Sequence, residues 1–130
     1  MKEIGRGGVL EQVRLHLGKK PDLVLFRNQA GYAVVDGRPQ RYGLVNGASD
    51  LVGVGPGGRF FALEVKAPGK KPTADQIRFL ELVKKFGGYS GWCDSVESAE
   101  RCYQEALAQH LKELGKVAMA GASLAGVRRA

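Results

Sequence analysis

The chain has 130 residues, the length of one domain rather than two, and its 44% hydrophobic and 25% charged content suits a globular protein with a single core. No apolar run is long enough to cross a bilayer, and the first twelve residues lack the apolar stretch of a secretory signal. A cytoplasmic, non-secreted protein with no membrane partner is therefore expected. Lys and Arg number 20 against 13 acidic residues, a net charge of +7, which favours a polyanionic partner because basic groups release counterions from phosphates. Cys93 and Cys102 form neither a CxxC pair nor a disulfide framework and read as reduced structural thiols. His16 and His110 fall on separate helical segments and suggest no zinc site.

In chain order, Leu10, Val13 and Leu17 recur at helical spacing and predict a first helix over about 9–17. Residues 23–26 and 32–35 read as strands joined by 28–31, and Asp36, Gly37 and Pro39 then make a turn. A glycine-bearing stretch, 43–49, leads into a strand at 50–54, and Gly55-Pro-Gly-Gly58 is a strong hairpin signal. The returning strand, 59–66, is apolar on both faces except near its end, as suits a central strand covered on both sides. A basic loop, 68–72, precedes a helix that Thr73 opens and Gly87-Gly88 stop. A short strand at 89–93 follows, then a helix capped by Ser95 and reaching about Leu114. The Gly/Ala-rich 115–130 read as a weakly ordered tail, an oligomer arm being the other reading. The order predicts a mixed α/β domain.

Three ionisable residues, Asp50, Glu64 and Lys66, lie at the ends of the two strands that the hairpin must pair. Side chains on a strand alternate faces, so Glu64 and Lys66 share one. A loop with an odd number of residues, such as 56–58, sets Gly55 against Arg59 and Asp50 against Glu64. An even loop, such as 55–58, turns Asp50 to the opposite face unless a bulge restores it. The odd loop or its bulged equivalent is expected. Two carboxylates that close repel unless a cation lies between them. Oxygen ligands suit Mg²⁺ or Mn²⁺, which lower the pKa of bound water and polarise a phosphoryl oxygen. An adjacent lysine stabilises charge developing on the phosphate. The acid-x-Lys spacing alone also fits a surface strand salt bridge; the preceding Asp, the apolar neighbours and the basic loop with a following helix separate the two readings.

Gly47-Ala-Ser-Asp50, then Phe61-Ala-Leu-Glu64-Val-Lys66-Ala-Pro-Gly69, then Thr73-Ala-Asp-Gln76 resemble the PD-(D/E)xK nuclease superfamily. Within it the likeness is to the VRR-NUC group, virus-type replication-repair nucleases that occur as small phage proteins. Residues 27–31, 42–47 and Gly87-Gly88 are also similar to that group, so the resemblance spans about 10–97. Ser49 departs from it, standing where the family commonly has proline.

The resemblance implies a restriction-endonuclease-like fold, a mixed sheet flanked by helices in a single small domain over 1–114, with 115–130 as a tail. It implies Asp50 and Glu64 as metal ligands, completed by the Val65 carbonyl, with Lys66 as the catalytic lysine and Gln76 as a polar residue supporting the site. Glu11 matches the helical glutamate that joins the metal, with Glu3 as the fallback. A carboxylate in a first helical turn is favoured by the macrodipole alone, and Thr73 to Gln76 is a capping box that explains Gln76 without chemistry. Lys70 and Lys71 are placed to meet a phosphate backbone, and Arg27, Asn28 and Arg41 add to that face. Arg59, at a hairpin tip, is a weaker addition, and Asn28 is equally ordinary turn chemistry. The expected function is a divalent-metal-dependent endonuclease acting on DNA, above all branched DNA such as Holliday junctions, in phage or prophage replication, recombination or repair. Paired incisions make a homodimer the economical arrangement. The alternative is a non-catalytic nucleic-acid-binding or accessory module retaining the fold.

Overall fold

The computed structural model describes residues 5–129, with side chains placed for 7–121. Helix α1 (Arg6–Leu17) leads to strands β1 (Val24–Arg27), β2 (Gly31–Val35), β3 (Arg38–Tyr42), β4 (Leu51–Val54) and β5 (Phe60–Val65). Helix α2 (Ala74–Lys85), strand β6 (Tyr89–Cys93) and helix α3 (Val96–Arg129) complete the chain. The main sheet has the order β1-β4-β5-β6, antiparallel except for the parallel β5–β6 pair that α2 connects. This is a small single-domain α/β fold with a mixed sheet flanked by helices. Among the described residues no helix is long and apolar enough to cross a membrane.

Alternation along β5 divides the molecule. Phe61, Leu63 and Val65 point to one face, where they form a core with Val9, Leu10, Val13 and Leu17 of α1 and Ala99, Tyr103 and Ala106 of α3. The Phe61 and Tyr89 rings stack there at 5.1 Å between centroids. Ala62 and Glu64 point to the other face, which α2 covers over β5 and β6. The central strand is thus buried on both sides, as its unbroken apolar run predicts. α2 does not reach β1 and β4, so Val24, Phe26 and Val54, with neighbouring Phe60, remain exposed on that face.

Three elements depart from the sequence expectation. α1 begins at Arg6, so Gly7 and Gly8 lie in its first turn instead of before it. Glycine costs little at a helix start, where few intrahelical bonds exist to lose. The turn at Asp36 and Gly37 is the loop of a hairpin whose second strand, β3, contains Pro39. Both turn residues have positive φ, 51° and 75°, and Val35 pairs with Arg38 across them. Asp-Gly supplies that two-residue turn, and a ribbon of two edge strands tolerates proline's missing N–H. The resulting β2–β3 ribbon is a separate sheet, not part of the main one. Finally, α3 does not stop near Leu114: its backbone continues to Arg129, 34 residues in all. Ser95 caps it as expected, accepting a 3.0 Å bond from the Ser98 N–H.

Candidate active site

The β4–β5 hairpin sets the geometry. Its loop is Pro56–Gly58, an odd three residues closed by a 2.8 Å bond from the Gly55 N–H to the Arg59 carbonyl. Gly57 and Gly58 both have φ of 77°, which a side chain would strain. The ladder then runs Val54↔Phe60, Gly53↔Phe61, Val52↔Ala62 and Leu51↔Leu63. One further step sets Asp50 opposite Glu64. Since Leu51 and Leu63 face the α1–α3 core, both carboxylates lie on the α2 side. The convergence expected from an odd loop is what the register gives.

Each acid is held in place. Asp50 Oδ2 accepts a 3.0 Å bond from the Val65 N–H, tying the end of β4 to the main chain of β5. Glu64 is 2% exposed, and its Oε1 accepts a 3.2 Å bond from Gln76 Nε2 on α2. Lys66, two residues along the same face, places Nζ 3.9 Å from that Oε1. The capping box is also present: Thr73 Oγ1 accepts from the Gln76 N–H at 3.3 Å, and Gln76 Oε1 accepts from the Thr73 N–H at 2.8 Å. The two readings of Gln76 are therefore not alternatives. Its amide oxygen closes the helix cap while its amide nitrogen holds Glu64.

The loop before Asp50 is fixed from two sides. Asn28 Nδ2 donates to the Ser49 carbonyl at 3.2 Å, the Leu44 N–H donates to Asn28 Oδ1 at 3.3 Å, and the Asn28 N–H donates to the Asp50 carbonyl at 2.8 Å. Asn28 is thus a clamp on the chain that carries Asp50. On the other side Gly47, with φ of 85°, lies so close to the start of α2 that a Cβ would come within 2.7 Å of the Asp75 carbonyl oxygen. Only glycine lets this loop and the helix bearing Gln76 meet so closely.

Asp50 also lines an open cleft of about 350 Å³ with Arg27, Asn28, Gln29, Tyr42 and Ala48. Arg27 borders that cleft at the end of β1, where it pairs with Leu51. Arg41 is exposed on the ribbon, where its Nε donates to Asn46 Oδ1 at 3.1 Å. Lys70 and Lys71 are exposed in the loop after β5, as is Gly69, whose N–H donates to Asp94 Oδ2 at 3.2 Å.

Glu11 is not with the pair. Because α1 begins at Arg6, Glu11 lies in the second turn, beyond the macrodipole's main reach. It lines a crevice with Arg14, Leu15, Gly18 and Leu25. Leu25 packs against the α1–α3 core, so that crevice lies on the opposite side of the sheet from Asp50 and Glu64. Among the described residues no three His, Cys, Asp or Glu side chains come together as a metal-binding group. Glu3 lies outside the described residues. Gln29, Ala30, Tyr42 and Ala48 also line the cleft without having been expected as site residues; the Asp36-Gly37 turn was the one signal for β3, the strand that carries Tyr42.

No family model matches this chain, and neither does any curated protein.

The donor set is of the kind a hard divalent cation takes: two carboxylates meet across adjacent strands, with the Val65 main chain between them, and the nearest thiol, Cys93, is buried on the core side of the sheet. The cysteines lie on the core side of the sheet. Burial, with Cys102 beside it, pushes the Cys93 thiol well above its ordinary range; burial and the nearby Glu105 push Cys102 up to about 11. Both are buried free cysteines, and the upward shifts favour the protonated thiol.

Proposed function

We propose that this protein is a divalent-metal-dependent endonuclease that hydrolyses phosphodiester bonds of DNA, on a restriction-endonuclease-like version of its α/β fold. The observation that carries this reading is the juxtaposition of Asp50 with a 98%-buried Glu64, with the Lys66 ammonium 3.9 Å from the latter. A surface salt bridge between Glu64 and Lys66 would leave the acid exposed. Two carboxylates held together repel, and a divalent cation bound beside the Lys66 ammonium would relieve that repulsion.

Asp50, Glu64 and the Val65 carbonyl would hold Mg²⁺ or Mn²⁺. The bound ion would supply Lewis acidity at a phosphoryl oxygen and a water of lowered pKa. The chain's own groups do the rest. Lys66, beside Glu64, would stabilise charge developing on the phosphate. Gln76 fixes the Glu64 carboxylate from α2, and Asn28 fixes the backbone of Asp50. Arg27 in the cleft, with Lys70, Lys71 and Arg41 around it, attracts the phosphate backbone. Branched DNA of phage or prophage origin, Holliday junctions included, is the substrate class that the family resemblance favours. A homodimer supplies the two sites that paired incisions need, and the exposed apolar surface of Val24, Phe26, Val54 and Phe60 supports self-association.

The test is cleavage of labelled four-way junction, flap, duplex and single-stranded DNA with Mg²⁺ or Mn²⁺, wild type beside Lys66→Ala and Asp50→Asn, with a chelator control. Metal-dependent cutting that falls at least ~100-fold in both variants is expected. Wild-type binding without cutting under either metal overturns catalysis in favour of the binding-module alternative. Sedimentation at micromolar concentration reads the oligomeric state, and a monomer that still makes paired incisions removes the dimer.

A further inference from the structure

The β2–β3 ribbon has no evident structural purpose. Its strands pair only with each other, and nine of its ten strand residues are exposed. A two-stranded hairpin in isolation is marginally stable in water, so a ribbon left bare invites a partner. Its register shows what kind. Tyr32 lies directly opposite Arg41 on one face, while Tyr42, Gln40 and Arg38 form a row on the other. Neither strand carries an acidic residue. Each face therefore presents one tyrosine and one arginine, the pairing of aromatic surface with positive charge that suits stacked bases and phosphates.

The row is also joined to the candidate site. Tyr42 lines the cleft that holds Asp50 and Arg27. The Tyr42 side chain lies across Gly31, whose missing Cβ would come within 2.8 Å of the tyrosine hydroxyl. From Tyr42 the row runs outward to Arg38, four residues and about 14 Å along the strand. That is about four nucleotides at the 3.4 Å spacing of stacked bases.

We propose that the β2–β3 ribbon is the arm by which this protein grips a nucleic-acid strand leaving the acidic pair, with Tyr42 stacking on a base at the cleft and Arg38 meeting a phosphate at the far end. The inference deepens the nuclease reading and rests on it. A second copy of the chain is the competing occupant, since Tyr32, Val34 and Val35 are also exposed. The absence of acids from both strands and the direct run into the cleft favour nucleic acid.

The test is binding of a labelled four-way junction and of single-stranded DNA in chelator, where no cutting occurs, across a salt series. Arg38→Glu, Tyr42→Ala and the remote control Lys112→Glu are compared with wild type, with thermal unfolding to check each fold. Arg38→Glu is expected to weaken binding about tenfold and to flatten the salt slope by about one. Tyr42→Ala is expected to weaken binding to single strands about tenfold with the slope unchanged. Lys112→Glu should stay within about twofold. Wild-type affinity in both Arg38→Glu and Tyr42→Ala, while Lys70→Glu loses affinity, overturns the ribbon and leaves the nuclease reading standing. Dissociation of an oligomer by Arg38→Glu or Tyr42→Ala, with affinity per subunit unchanged, also overturns it, by making the ribbon a self-contact. Failure of the wild type to bind any DNA overturns both readings together.

Discussion

The Asp50 carboxylate accepts its 3.0 Å hydrogen bond from the Val65 main chain, one residue beyond the Glu64 it stands opposite. The same group thus closes the end of the hairpin and presents charge to the site, and two substitutions separate these roles. Asp50→Asn keeps an oxygen that can accept from Val65 but removes the charge; Asp50→Ala removes both. Mn²⁺ binding followed by calorimetry is expected to fall at least ~tenfold in both. Thermal unfolding is expected to distinguish them: Asp50→Ala loses about 1–3 kcal/mol through the unsatisfied Val65 N–H, whereas Asp50→Asn stays within about 1 kcal/mol. Retained Mn²⁺ affinity in Asp50→Asn would remove Asp50 from the ligand set.

Gln76 serves the cap and Glu64 with different atoms, so its cap partner supplies the control. Thr73→Ala removes one capping bond and is expected to cost about 1 kcal/mol of stability with activity within about twofold of wild type. Gln76→Ala is expected to cost a similar amount and to lower kcat about a further tenfold, because Glu64 loses the amide that orients it. If the two variants lose activity equally, Gln76 acts through the helix alone.

Glu100 joins α1 to α3 away from the site. Hydrogen bonds from Lys20, Gln104 and His16 hold its carboxyl down at about 2. The Lys20 Nζ lies 2.5 Å away and the His16 Nε2 2.8 Å. A carboxyl whose folded pKa lies below its unfolded value near 4.5 stabilises the fold fully above that value, and the contribution is lost as pH falls toward about 2. The group is partly exposed, so about 0.2–1 kcal/mol is at stake. The melting difference between wild type and Glu100→Gln is therefore expected to be largest near pH 6 and to vanish near pH 2. A difference independent of pH would assign the effect to packing.

Strong local signals made the central part of this molecule readable before any coordinates. The Gly-Pro turn, the unbroken apolar strand and the Thr73 cap fix β4, β5 and α2, and β6 falls at 89–93 as read. Alternation plus loop parity then placed Asp50 against Glu64. The misses share a cause, the absence of burial to generate a pattern. β3 is polar and exposed throughout, so no apolar alternation marked it, and Pro39 argued against a strand. The extension of α3 past Leu114 buries none of its described side chains, and glycines at 115 and 121 looked like breaks. Glu11 was expected at the site from the family resemblance alone; no residue pattern showed which side of the sheet α1 would cover, and Glu11 lies with Leu25 on the core side.

Strand β5 is flanked by β4 and β6, and the Lys66 N–H extends its ladder with a 2.8 Å bond to the Cys93 carbonyl. The amides of Val65 and Lys66 should accordingly exchange with solvent deuterium only through global unfolding, while those of the solvated β2–β3 ribbon exchange through cheap local opening. Glu64 and Lys66 are thus mounted where opening is expected last, and the exposed ribbon is where it is expected first.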